Sequence, residues 1–452
     1  MSAVDGMIGR THATIGPRLA QRLECGRAAQ AYLERLLGIR WQADGVDEPE
    51  LQAFASRVVA MSSDAVQVFV VVHHGNFPHV EYLAAVLRAR GSATVGIYLQ
   101  SSPPAGVFSV SFDCHGSLAR LVAAARALAA IRRPQTLASA WYLQAHGRWC
   151  FLAALLDEVV PGVRVVQELW DWMDLFVAPG CDHEFVRARV FEQEELDLMR
   201  AAEEYARHRT AGFLYKNRGE AMDRLLAGAR APGQPFLPCP PASWVRSPRA
   251  RERGHQPSRL VHAGQLKNAD ASNAVFGDIK YHGVVRRLCS LGFSVTAYGS
   301  VIPGDRSAAE FHRDYVRLAE EPIGFTFHER LPVRRLIEQL NARYDFGLLF
   351  YRFPAELCVG REHLESTIAS KLFTYLAAGL PVIVSPELQR MAAFVRDRGV
   401  GIVLTWSEVE RLPELVRQCD YPRLCERVGE VQQTHHLEQF VEGTLSFVKR
   451  CA

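Results

Sequence analysis

The sequence predicts an α/β protein: two doubly wound parallel-sheet domains behind a helical N-terminal extension. Short apolar runs alternate with amphipathic helices from residue 65 onward. That rhythm belongs to a parallel sheet covered by helices on both faces. A stretch rich in proline and arginine interrupts it near 231–258, after which the alternation restarts. The chain therefore divides into a helical extension (1–60), a first domain (61–240), a linker (241–258) and a second domain (259–433). Residues 434–452 read as a final helix long enough to cross back to the first domain.

In the extension, 26–37 and 48–61 have helical spacing and carry no evident chemistry. The first domain opens with the apolar strand 66–72, followed by the loop His73-His74-Gly75-Asn76 and a helix over 80–90. Strands are expected at 93–99, 107–112, 136–142 and 163–167, with helices near 118–131 and 148–158. A charged amphipathic helix over 192–208 leads to a short strand at 212–215. Prolines at 232, 235, 238, 240, 241, 248 and 257, with five arginines between Arg246 and Arg259, mark the linker. The second domain has strand patterns at 259–262, 294–298, 324–327, 346–350, 382–384 and 401–404. Two such domains leave a cleft between the carboxyl ends of their strands, which is where ligands bind in open α/β sheets.

Composition narrows the function. A chain of 452 residues, 48% hydrophobic, has enough material for two or three cores. Its 52 basic and 49 acidic residues nearly cancel, giving +3, which argues against a nucleic-acid binder. Ten cysteines occur singly and none forms a C-x-x-C pair, so neither a zinc knuckle nor a disulfide framework is implied. That usage predicts a reducing cytoplasm. Residues 1–20 show no signal-peptide core, and no run reaches the roughly 18 apolar residues of a membrane span. The arginine cluster reads first as a solvated linker; peripheral docking at the inner face of a membrane stays open, with the cluster as its contact for anionic lipid or a phosphorylated acceptor. The paired histidines at 73–74 and 435–436 lack partners at ligand spacing, so no metal site is expected. No Walker loop, G-x-S-x-G elbow or dinucleotide fingerprint occurs.

The most informative stretch is Ser370 to Ser385, SKLFTYLAAGLPVIVS. Ser370 is the N-cap candidate, and Leu372, Phe373, Leu376 and Ala377 recur at helical spacing. Gly379 suits a left-handed C-terminal position and Pro381 stops the helix. Val382 to Val384 then form a buried strand. A helix N-terminus opening beside the carboxyl edge of a parallel sheet offers free N–H groups and a positive dipole end to a phosphate. Lys371 adds a charge there.

This segment resembles the donor-binding segment of family 4-type glycosyltransferases with the GT-B fold. Lys371, Tyr375, Leu376, Ala377, Ala378, Gly379, Pro381, Val382 and Ile383 stand where that pattern puts them. The pattern's glutamate, which holds the donor ribose, is Thr374 here, and Glu365 lies nearby as a substitute. The resemblance implies GT-B architecture and transfer of a sugar from a nucleoside-diphosphate sugar, with no metal and with retention of configuration at the sugar's anomeric carbon. It implies no cofactor beyond that co-substrate. The acceptor, a glycan, a lipid-linked sugar or a small molecule, is left unspecified. Donor contacts are then expected from Gly264 and Lys267 after the first strand of the second domain, and from Gly299 and His328 at later strand ends. Arg361 and Glu365 in the loop 361–366, with Ser370, Lys371 and Thr374, complete the donor set.

In the first domain, His146 follows a strand in WYLQAHGRW, where an imidazole relays a proton near neutral pH. Asp171, in QELWDW after another strand, is the second catalytic candidate, and the neighbouring Glu168 is a further carboxylate. His73, His74 and Asn76 fall where an acceptor would lie. Two other readings stay open at this point: a sugar-nucleotide epimerase on the same fold, and a non-catalytic binding protein.

Overall fold

The computed structural model describes residues 15–41, 47–61, 66–72, 79–100, 106–131, 140–249, 256–300 and 311–452. Seven strands form the first sheet: β1 (Val66–Val71), β2 (Ala93–Tyr98), β3 (Val110–Asp113), β4 (Ala140–Gln144), β5 (Arg164–Leu169), β6 (Gly212–Tyr215) and β7 (Gly233–Pro235). Their order is β3-β2-β1-β4-β5-β6-β7. The second sheet holds β8 (Arg259–Gln265), β9 (Ser294–Ser300), β10 (Phe325–Glu329), β11 (Phe346–Leu349), β12 (Val382–Val384) and β13 (Gly401–Val403), in the order β10-β9-β8-β11-β12-β13. All pairings are parallel. Strand order reverses between β1 and β4 in one sheet and between β8 and β11 in the other. Those two switch points are where a doubly wound sheet opens a crevice.

The central strands form where the sequence is mostly apolar. In β1, Val66, Val68, Phe69, Val70 and Val71 are all buried, as they must be when helices cover both faces. β7 was not expected, because it lies in the proline-rich stretch. It pairs with β6 at the sheet edge, where Pro235 needs no second ladder partner. The following segment also departs from a solvated linker. Arg246 donates its backbone N–H to the Ala377 carbonyl (2.7 Å) and pairs with Glu338 (3.1 Å). Arg249 donates to the Ala342 carbonyl at 2.6 Å, and Arg259 pairs with buried Asp345 at 2.9 Å. Three of the five clustered arginines thus serve internal contacts. Arg251 and Arg253 lie outside the described residues.

The helices Arg27–Trp41 and Glu48–Val59 pack into the first-lobe core, where Leu33, Leu37, Trp41, Phe54 and Val58 share a cluster with Val68 and Val70. At the other end of the chain, the helix Leu437–Arg450 lies on the opposite face of the first sheet. Its Leu437, Val441, Phe447 and Val448 join Phe69, Val71 and Tyr142. Each such side chain taken out of water contributes roughly 1.5–3 kcal/mol. Among the described residues no helix is long and apolar enough to cross a membrane.

The lobes also meet directly. Val177 and Val359 form an antiparallel bridge, Ala178 donates to the Cys358 carbonyl (2.9 Å), and Gly360 donates to the Phe176 carbonyl (2.8 Å). Gly360 is required: a Cβ there would stand 2.0 Å from the Leu175 carbonyl oxygen. Met173, Val177, Phe185, Cys358 and Val359 make a small apolar cluster across this seam.

Candidate functional site

Of the donor-side candidates, Gly264 and Lys371 meet at the end of β8. The helix Ser370–Ala377 begins after an extended Ala369, so Ala369 is the N-cap and Ser370 the first helical residue. Ser370 is exposed and its hydroxyl does not cap. At the other end, Gly379 takes a φ of +75°, the left-handed stop its sequence position predicts.

Lys371 leaves the first turn and lies over the end of β8. A Cβ on Gly264 would meet its Nζ at 2.8 Å and its Cδ at 2.9 Å. The ammonium donates to the Tyr351 hydroxyl at 2.8 Å. Lys371 is half-buried. Burial lowers the Lys371 pKa to about 8, partly offset by attraction to Asp278. Asp278 in turn is pushed up to about 6 by burial, against the pull of Lys371. The amide edge, the close backbone at Gly264 and the ammonium lie together at the switch point, with the Asp278 carboxylate interacting with the ammonium.

The other donor candidates are less concentrated. The Thr374 hydroxyl donates back to the Ser370 carbonyl at 3.1 Å, so it is engaged within its own helix. Residues 361–366 form a helical turn rather than a loop, and Arg361 pairs with Glu365 at 2.6 Å along it. With 87% of its side chain exposed, Arg361 faces solvent. Lys267 sits over the rings of Phe276 (4.4 Å) and Phe311 (4.9 Å). The space beside Gly299 is taken by side chains, since a Cβ would meet Phe327 at 2.8 Å and His312 at 2.9 Å. His328 packs on Tyr298 at 5.0 Å on the edge strand β10.

Across the crevice, His146 follows β4 at the first-lobe switch point and precedes a short helical turn. Burial lowers its pKa to about 4, so the ring is neutral at pH 7. Asp171 lies just past β5, where its Oδ1 is 2.7 Å from Lys216 Nζ and 3.8 Å from His363 Nε2. Burial opposes the charged carboxylate, but Lys216 and His363 outweigh it and hold the pKa at about 2. The side chain retains 40% of its surface, so the pair opens onto the crevice. Glu168 is fully buried and accepts from Tyr142 (2.5 Å), His79 (2.5 Å) and the Trp170 indole. Those three donors make it structural.

His363 comes from the second lobe, and so does Ser366, whose hydroxyl accepts from Asn217 at 2.9 Å. The residues around Asp171 therefore belong to both lobes. Sequence reasoning passed over Lys216, His363, Tyr351 and Asp278. Lys216 alone carried a signal, a lysine directly after strand β6. His73, His74 and Asn76 lie outside the described residues. Among the described residues no group of three or more His, Cys, Asp or Glu side chains is placed to hold a metal ion.

Comparison with known proteins bears on this geometry. Residues 311–446 match the family described as glucosyltransferase 3-like, C-terminal domain. That match covers β10 to β13, Lys371 and most of the final helix. A search of curated protein sequences finds no match. Among solved structures, the apo structure of OtsA is similar with a TM-score of 0.52 at 10% identity, over 86% of this chain and 99% of that one. A Medicago truncatula UGT71G1 structure with UDP-glucose follows at a TM-score of 0.48 and 12% identity, covering 86% and 98%.

Proposed function

We propose that this chain, which has the GT-B fold of glycosyltransferases and a glucosyltransferase 3-like C-terminal segment, moves a sugar from a nucleoside-diphosphate sugar to an acceptor hydroxyl. The observation that carries the reading is the placement of Lys371 over Gly264, at the mouth of the β8–β11 switch point and beside the N-terminus of its own helix. The departing diphosphate gains negative charge as the glycosidic bond breaks. Fixed N–H groups and an ammonium aimed at it act most strongly in a partly dehydrated site. Lys371 and the amides of the first helical turn supply both. The acceptor enters from the first lobe, with His146 and Asp171 on its side of the crevice.

The proton of the acceptor hydroxyl needs a destination. A general base works best with a pKa near the operating pH. Asp171 near 2 and His146 near 4 both fall well below that. A leaving phosphate oxygen is the stronger base in this crevice, which supports transfer on the face the diphosphate leaves, with retention; independence of a metal is carried over from the resemblance alone. Asp171 and His146 then orient the acceptor. The epimerase reading wants free carboxylates in the cleft, whereas Glu168 is spent on three donors and Asp171 on Lys216.

The test is a panel of UDP-, GDP-, ADP- and dTDP-sugars, with released nucleotide measured with and without a mixture of acceptor hydroxyls. Slow hydrolysis of one donor, accelerated by an acceptor, is expected. No turnover of any donor and no binding of any nucleotide would overturn the reading.

A further inference from the structure

We infer that Tyr351 is a positioning residue: its hydroxyl holds the Lys371 ammonium over Gly264, where the leaving diphosphate binds. This deepens the donor-site reading above and rests on it.

Tyr351 is built as a fixed post. Its backbone N–H donates to the Ser385 hydroxyl at 2.8 Å, and that hydroxyl donates back to the Tyr351 carbonyl at 3.3 Å. Ser385 is fully buried and closes the strand that begins at Val382. The Tyr351 ring is 6% exposed and stands edge-on to His262 (6.0 Å) and Tyr281 (5.9 Å). Tyr281 is itself anchored, its hydroxyl donating to the Phe350 carbonyl at 2.6 Å. A lysine tip carries four flexible torsions, and holding it in one place normally has an entropic cost. Here a hydroxyl pinned through both backbone and ring sets where that tip rests. The ammonium has two N–H donors left for phosphate oxygens.

Among the described residues, the groups facing Lys371 are Asp278 in the short helical turn Gly277–Ile279, His262 within β8 and Tyr351 after β11. Asp278 is the only carboxylate among them, and buried His262 is held neutral. Only the Tyr351 hydroxyl combines acceptance of the ammonium's hydrogen bond with a rigid anchor.

The test is Tyr351→Phe, which keeps the buried ring and removes one oxygen. Lys371 acylation by a small reagent is followed by peptide mass spectrometry against pH, without ligand. The hydroxyl accepts from the ammonium and so favours the charged form. Its loss is expected to move the onset of Lys371 labelling to lower pH, with a melting temperature close to wild type. UDP and inorganic pyrophosphate are then added: wild-type Lys371 is protected, and the variant binds UDP about fivefold or more weakly. An unchanged labelling profile overturns the inference whatever the ligands do. Wild-type Lys371 left unprotected by either ligand, with the labelling shift present, counts against the donor-site reading while the Tyr351–Lys371 relationship stands.

Discussion

Lys371 occupies the space that a side chain at Gly264 would need: its Nζ lies 2.8 Å, and its Cδ 2.9 Å, from an ideal Cβ at that position. The Gly264→Ala variant therefore acts on the lysine tip and not on the backbone. The obstructing atoms are the far end of a flexible chain, so the fold is expected to survive with little change in melting temperature. Nucleoside diphosphate affinity should fall about tenfold or more, the weight of one charge-assisted hydrogen bond. Calorimetric titration with UDP and GDP, beside a thermal melt, separates the two effects.

The depressed Lys371 pKa gives the site a pH signature. Bound phosphate favours the ammonium, so its pKa in the complex rises above the value of about 8 in the free protein. Above pH 8 binding must then take up a proton, and affinity falls as pH rises, by up to about tenfold per unit. Titrations at pH 7, 8 and 9 should show a flat region followed by a decline. A constant affinity across that range would remove Lys371 from the phosphate contact.

The Asp171–Lys216 pair joins a partly exposed carboxylate to a lysine whose side chain is only 9% exposed. Asp171→Asn leaves that ammonium without its counter-charge, at a cost on the order of 2 kcal/mol after allowance for the open side of the pair. The double variant with Lys216→Met should recover much of the loss. Denaturant unfolding of the two single variants and the double variant measures the coupling. Additive losses would show that the pair contributes nothing by itself.

Thr374 stands where the resembling glycosyltransferases carry a glutamate, and its hydroxyl is bonded within the helix. A carboxylate there reaches further, and in the resembling pattern it holds the donor ribose. Thr374→Glu is expected to tighten UDP binding several-fold. Unchanged binding would mean that the ribose of this donor lies away from position 374.

Much of the architecture was legible in the sequence, because parallel strands covered on both faces must be largely apolar: β11 and β12 are so throughout, and β1 is interrupted only by Gln67. β7 was hidden by its proline, which reads as a breaker everywhere except on a sheet edge. The helical turn 361–366 was hidden by its charged composition. At the candidate site, the nearness of Lys371 to Gly264 was suggested by a helix start and a strand-end glycine in one chain pattern, but the N-cap was placed one residue late, at Ser370 and not Ala369. Tyr351, Asp278 and His363 were not legible. Each acquires its role from a neighbour distant in sequence, Lys371 for the first two and Asp171 for the third, and no local pattern records such a pairing. Gly299 was misread for the complementary reason: a strand-end glycine looks the same whether it admits a ligand or the Phe327 ring.

The most direct measurement of the central claim is calorimetric titration of the wild-type chain and Lys371→Ala at pH 7 with UDP, GDP, ADP and dTDP. The account predicts saturable binding of at least one nucleotide to the wild type, weakened about 10- to 100-fold by the loss of one ammonium contact. Equal affinity in both proteins, or no binding of any of the four, would contradict it.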